Sequence, residues 1–511
     1  MIYTHEHLAG ADTHLSADAV VIGSGAGGAP VAAELAARGK RVVVLETGSY
    51  WRPQDFNQVE YDMFQRLYAD KAGRATRDKA IHVHQGKGVG GSTLHNINLC
   101  KRVPPEILAS WRAQHGWKHL PPAALDALYA EVEARLSVTP LGTYQMNGNN
   151  AALKRGCDAL GYRGGFLHHN RVGCAASGFC ELGCPYDAKQ NALKIYIRDA
   201  VAHGADVLAD TWAARIVHHG RQATRVHALV RDPVTGATRA RVTVDARAVC
   251  VSASATGTPA LLLRSSVPDP HRLVGSRLFL HPGGAVAGRF AQPLTSWRGV
   301  PQSYECTELL DFSPAAGESK RVWIIPSFAH PAGVSATLSG FGREHGAYLR
   351  DYAHLAALSP MVHDLDPGRV NVVGDHGIDI DYQLSERDAA QLHLGLRESA
   401  RLLLAAGAEK VIVPLARTVE ITALAHVDAA FAHIRMRKHD LDVTAVHPMG
   451  SVWMGDDPAR ACVDSTGRYH HLDNLFVADT SLYPSSIGAP PQITAYTLGT
   501  HVGRQMAAHL G

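Results

Sequence analysis

Residues 17–46 read ADAVVIGSGAGGAPVAAELAARGKRVVVLE, and this stretch decides the fold. Residues 19–22 form a short apolar run of strand-forming side chains. Gly23-Ser24-Gly25-Ala26-Gly27-Gly28 follows at once, and residues 29–38 carry the small-residue pattern of a closely packed helix. Residues 41–45 are a second apolar run, which ends on an acid, Glu46. Strand, glycine loop, helix, strand and terminal acid, in that order, are the parts of a βαβ dinucleotide site. Gly23 permits the tight turn, Gly25 lets the backbone approach a pyrophosphate, and Gly28 lets helix and strand pack closely. The first N–H groups of the helix have no partner within it and face the phosphates. Glu46 is placed to accept hydrogen bonds from the adenosine ribose. The motif alone leaves FAD and NAD open.

Working outward, residues 86–98 read GKGVGGSTLHNIN, a glycine-rich loop too long for an ordinary turn. Residues 254–262 read SATGTPALL. Near the end come His447-Pro448-Met449-Gly450, then Phe476-Val477-Ala478-Asp479-Thr480-Ser481, then Pro491-Gln492-Ile493-Thr494. In this order the segments resemble the motifs of the glucose-methanol-choline (GMC) family of FAD-dependent oxidoreductases. The resemblance covers nearly the whole chain and is weakest at 292–370.

The resemblance implies an α/β fold: a Rossmann-like FAD-binding domain with a discontinuous α+β substrate-binding domain. The FAD-binding part takes residues 1–291 and returns at 442–511, and 292–441 form the substrate domain. Residues 139–190 read as a loop-rich insertion. The amphipathic pattern at 385–406 predicts a helix, and 321–325 a strand. For the cofactor the resemblance implies Gly90, Gly91, Ser92, His95 and Asn96 in the long loop, with Ala478, Asp479, Pro491 and Ile493 from the closing block. Some relatives bond the flavin covalently to a histidine near the position of His95, and in others that histidine packs against the ring.

Removing hydrogen from an alcohol requires a base and a fixed substrate oxygen, and histidine suits the base because its pKa lies near neutral pH. His447 stands where the family has its active-site histidine and is the expected catalytic base. The family's second polar residue, Asn or His, falls at Pro490, which has neither a side-chain donor nor a backbone N–H. Gln492 is the candidate to replace it. The expected reaction is oxidation of a CH–OH group of an alcohol or sugar, as a dehydrogenase. The alternatives are a lyase with structural FAD, or the flavin subunit of an electron-transfer complex.

Cys174, Cys180 and Cys184 lie in RVGCAASGFCELGCPYDAK, residues 171–189. Three thiolates on one glycine-bearing loop suit a three-iron [3Fe-4S] cluster, and the loop is similar to that of multisubunit sugar dehydrogenases of the family. That reading implies a small partner subunit or a cytochrome; the alternative is a loop of three reduced thiols. The net charge of +3 and the lack of a basic run argue against nucleic acid. No apolar run of membrane-spanning length occurs. Residues 1–17 do not read as a signal peptide, so the cytoplasm is the expected compartment, with export alongside a signal-bearing partner as the exception.

Overall fold

The computed structural model describes residues 1–313 and 315–511. The opening stretch folds as strand Thr13–Ile22, helix Gly28–Ala36 and strand Val42–Leu45. The two strands are parallel, with Ala19 opposite Val42 and Ile22 opposite Leu45. Every residue of Gly28–Ala36 is buried, because the sheet covers one face and the closing helix Gln492–Leu510 the other. Small residues allow that approach: a Cβ on Gly499 would lie 2.3 Å from the Gly27 carbonyl oxygen, and one on Gly503 3.0 Å from Val31.

These strands belong to an eight-stranded sheet. Its order is Ile2–Tyr3, Asp206–Leu208, Val42–Leu45, Thr13–Ile22, Thr238–Val251, Gln222–Arg231 and Thr211–His219, with Leu475–Val477 pairing the end of Thr238–Val251. Pairing is parallel up to Thr238–Val251 and antiparallel beyond it. Fully buried parallel strands explain the unbroken Val/Ile runs read in the sequence.

A second, antiparallel sheet of seven strands runs Val419–Ile421, Lys410–Val413, Val286–Arg289, Leu355–Val362, Val322–Pro326, Tyr304–Cys306 and Gly164–Phe166. Helix Glu386–Ala405 covers one face, with the Ser385 hydroxyl accepting the Asp388 N–H at its start. A cap of this kind contributes about 1 kcal/mol. Alternation along the strands sorts their side chains. Val286, Ile324, Ala356 and Leu358 join Leu392, Leu396 and Leu403 of the helix in one core cluster. Ala287, Ile325, Ala357, Ser359 and Met361 face the other way, into a cavity. The segment 139–190 contributes to this layer: strand Gly164–Phe166 is the sheet's edge. Helix Gly148–Leu160 packs beside Glu386–Ala405, where a Cβ on Gly156 would lie 2.3 Å from the Leu402 carbonyl oxygen. Among the described residues no helix is long and apolar enough to cross a membrane.

Candidate active site

The glycine loop closes tightly where the protein needs it. A Cβ on Gly23 would meet the Ser252 carbonyl oxygen at 2.1 Å, and one on Gly28 the Gly23 carbonyl oxygen at 2.0 Å. Gly25 differs, because its nearest neighbour would be the Gly91 Cα at 3.7 Å. The Glu46 carboxylate is buried and accepts from Ser24 N–H (3.1 Å), Ser24 Oγ (2.6 Å), Gly48 N–H (2.9 Å) and Gly88 N–H (3.3 Å). Burial raises its pKa against those donors. Ser24 Oγ in turn accepts the Gly90 N–H at 3.0 Å. Glu46 and Ser24 thus staple the first loop, the end of the second strand and the 86–98 loop together. Ser24 carries no signal in the sequence, because its role depends on a contact 66 residues away.

In the 86–98 loop, Ser92 Oγ accepts the Gly86 N–H at 2.9 Å. The His95 ring lies 4.0 Å from the Tyr68 ring, centroid to centroid. Its Nε2 is buried without a hydrogen-bond partner and backs onto Gly86; burial holds its pKa down to about 3. Lys189, buried and lowered to about 8 by desolvation, donates to the carbonyls of Leu94 (3.1 Å), Asn96 (2.5 Å) and Cys180 (3.0 Å). The cysteine loop is thereby clamped onto the 86–98 loop.

The three cysteines line one small cavity with Arg171 and Lys189. Cys174 is exposed and its Sγ accepts from Arg171 Nη1 and Ala176 N–H, while Cys180 and Cys184 are half-buried. Among the described residues no group of three His, Cys, Asp or Glu side chains is placed to hold a metal. The three-iron reading of Cys174, Cys180 and Cys184 finds no support in this arrangement.

His447 sits between two pinned segments. Strand Val443–Ala445 pairs with Ile81–Val83 and Met449–Gly450 with Ser276–Phe279, while Thr480 Oγ1 donates to the Pro448 carbonyl at 2.9 Å. Burial holds the His447 pKa down to about 3. Its Nδ1 faces His281 Nδ1 at 3.3 Å. Gln492 does not fill the place left by Pro490. Its Oε1 accepts from Asn96 Nδ2 (2.8 Å), and its Nε2 donates to the Leu99 carbonyl (2.6 Å) and Asn170 Oδ1 (3.4 Å). Its donors are spent bracing the loop to the closing helix, which corrects its assignment as a catalytic side chain. Asp479 is buried, with its pKa raised by desolvation; it accepts from Ser254 N–H (2.8 Å), Thr258 Oγ1 (2.5 Å) and Ser481 N–H (2.7 Å).

One cavity of about 1470 Å³ connects these groups. Gly23, Gly25, Glu46, Gly91, Ser92, His95, Asn96, Asp479, Pro491, Gln492 and His447 line it. Gly28, Gly90 and Ala478 do not line it. Ile493, in the first turn of the closing helix, is wholly buried in the core and does not line the cavity, which corrects its placement at the cofactor. The same cavity is lined by Ala287, Ile325, Phe328, Val334, Leu338 and Met361, with Gln302, Ser327, Thr337 and Ser359 among them.

Comparison with known proteins agrees with this layout. Family models described as GMC oxidoreductase match residues 18–283 and 366–499. An uncharacterised GMC-type oxidoreductase of Mycobacterium tuberculosis is 32% identical over 494 residues, covering 96% of this chain and 76% of that protein. The long-chain-alcohol oxidase FAO3 of Arabidopsis thaliana is 27% identical over 97% of this chain and 69% of its own length. Among solved structures, pyridoxine 4-oxidase from Mesorbium loti superposes with a TM-score of 0.73 at 19% identity, covering 96% of this chain and 99% of that one.

Proposed function

The chain belongs to the GMC oxidoreductase family, and from that premise we propose that it is an FAD-dependent enzyme oxidising the CH–OH group of an apolar alcohol. The observation that carries this reading is the single continuous cavity. It is lined by a dinucleotide loop whose second glycine leaves room for a Cβ, by His447, and by apolar residues of the second sheet.

Gly25, Glu46, Gly91 and Asp479 are the residues that would hold the cofactor. When bound, FAD supplies the electron sink for the hydrogen leaving the carbinol carbon. His447 stands at the junction of cofactor and substrate regions and engages the substrate oxygen. His95 lines the cavity and lies against the Tyr68 ring, a position from which it packs against the flavin region, and its Nε2, backed by Gly86, favours a non-covalent contact. The apolar residues of this wall favour alcohols over sugars, with Gln302, Ser327, Thr337 and Ser359 as the polar side chains beside them. The long-chain-alcohol oxidase among the relatives supports the same substrate class.

The test is purification with FAD followed by anaerobic addition of alcohols. The flavin is expected to bleach with apolar primary alcohols, and acid precipitation should release it all to the supernatant. Readmitted oxygen then reveals whether oxygen serves as acceptor. A flavin that stays oxidised with every alcohol and sugar tried would contradict the reading.

A further inference from the structure

His281 does not line the cavity, and no sequence motif marks it. Its backbone nevertheless lies in the left-handed region, at φ 52, which a residue other than glycine rarely adopts and which clusters at functional sites. Asp364, fully buried, holds it there: its carboxylate accepts the N–H of Leu280 (2.8 Å) and of His281 (3.3 Å), and the Tyr382 hydroxyl at 2.9 Å. The local conformation is fixed so that the imidazole spans two partners.

The first partner is the Gly488 N–H, which donates to His281 Nε2 at 2.8 Å. A backbone N–H can only donate, so this nitrogen bears no proton. A neutral imidazole carries one proton, and in His281 it must therefore sit on Nδ1. The second partner is His447, whose Nδ1 lies 3.3 Å from that donor, with the two rings edge to face at 79°. His447 Nδ1 must then accept. The proton of a neutral His447 is left on Nε2, the remaining nitrogen of a ring that lines the cavity.

We propose that His281 is a positioning residue that fixes the ring and the tautomer of His447, so that His447 presents an Nε2–H donor to the substrate oxygen. The proposal rests on the functional reading above and deepens it. Burial keeps both rings neutral: His281 is held well below its ordinary pKa, and His447 at about 3. A neutral imidazole donor stabilises negative charge developing on the alcohol oxygen. Because its Nε2 already bears a proton, the hydroxyl proton leaves to water in the cavity and not to His447. The expectation that His447 is the base is replaced accordingly. The same His281 bond pins Gly488 in the turn that carries Pro490, where the family's second polar residue is missing. The orientation such a residue would give is supplied from behind His447.

Neutron diffraction from deuterium-exchanged holoenzyme crystals tests this directly. Deuterium is expected on His281 Nδ1 and His447 Nε2; deuterium on His447 Nδ1 would overturn the proposal. Kinetics give a second arm. Glutamine can donate a hydrogen bond but cannot serve as the base, so His447→Gln should keep anaerobic flavin reduction within about 10-fold of wild type, whereas His447→Ala should lose about 10- to 100-fold. Equal losses in both variants, in the ~10²–10⁴-fold range of a missing base, would sink it. His281→Leu should slow reduction at saturating alcohol, and His281→Gln, which keeps an acceptor and a donor, should restore most of the rate. If no alcohol reduces the wild-type flavin, the functional reading fails, while the deuterium positions still decide the tautomer.

Discussion

A Cβ built on Gly23, Gly27 or Gly28 runs into backbone at 2.1 Å or less, whereas one on Gly25 meets nothing closer than 3.7 Å. Three of these glycines serve the protein's own packing, and the fourth keeps space for a ligand. Gly25→Val should therefore fold, with an unfolding free energy within about 1 kcal/mol of wild type, yet elute colourless from gel filtration with added FAD. A fully yellow Gly25→Val protein would remove the pyrophosphate assignment. The glycines are legible because their roles follow from a local turn and its spacing. His281 and Asp364 are not, because their roles arise from contacts 207 and 84 residues distant in sequence. Gln492 shows the opposite failure. Its place beside Pro490 suggests catalysis, but hydrogen bonds to Asn96, Leu99 and Asn170 spend its donors.

Between residues and whole fold, the element whose meaning changes most is the cysteine loop. Its cysteine spacing and glycines foretell a tight wrap, and the loop does wrap. At its end Lys189 binds three carbonyls, two of them in the 86–98 loop. Spacing along a chain shows that thiols are near one another, but not that their Sγ atoms point to one centre. Lys189→Met would leave the Leu94, Asn96 and Cys180 carbonyls without that partner, at a cost of about 2–4 kcal/mol, and would loosen the 86–98 loop. Urea unfolding and flavin retention check this: wild-type stability with full flavin occupancy would contradict the clamp. Regular elements are easier to read. Helix Glu386–Ala405 is legible from its apolar period and its Ser385 cap, and strand Val322–Pro326 from its apolar run. The short strand Gly164–Phe166 carries too little pattern to announce its place at the edge of the second sheet.

At the scale of the molecule, the cavity joins two sheets, and the sequence speaks clearly about only one of them. The dinucleotide half is encoded in compact motifs, so a dinucleotide site is legible from residue order alone, and FAD through the resemblance of the later segments. The substrate half is encoded in alternation along strands far apart in the chain, whose cavity-facing residues become a wall only once the sheet is assembled. Ala287, Ile325, Ala357 and Met361 carry no motif, and the common face they share with Ser359 is the reason to favour an apolar alcohol. Anaerobic flavin reduction by ethanol, decanol and glucose, in wild type and in Ala357→Phe, tests that claim most directly. Each buried methylene contributes about 0.8 kcal/mol, so decanol should reduce the wild-type flavin at a concentration at least about 10-fold below that needed for ethanol. Ala357→Phe should erase the advantage while ethanol still reacts. Reduction by glucose with none by decanol would contradict the account.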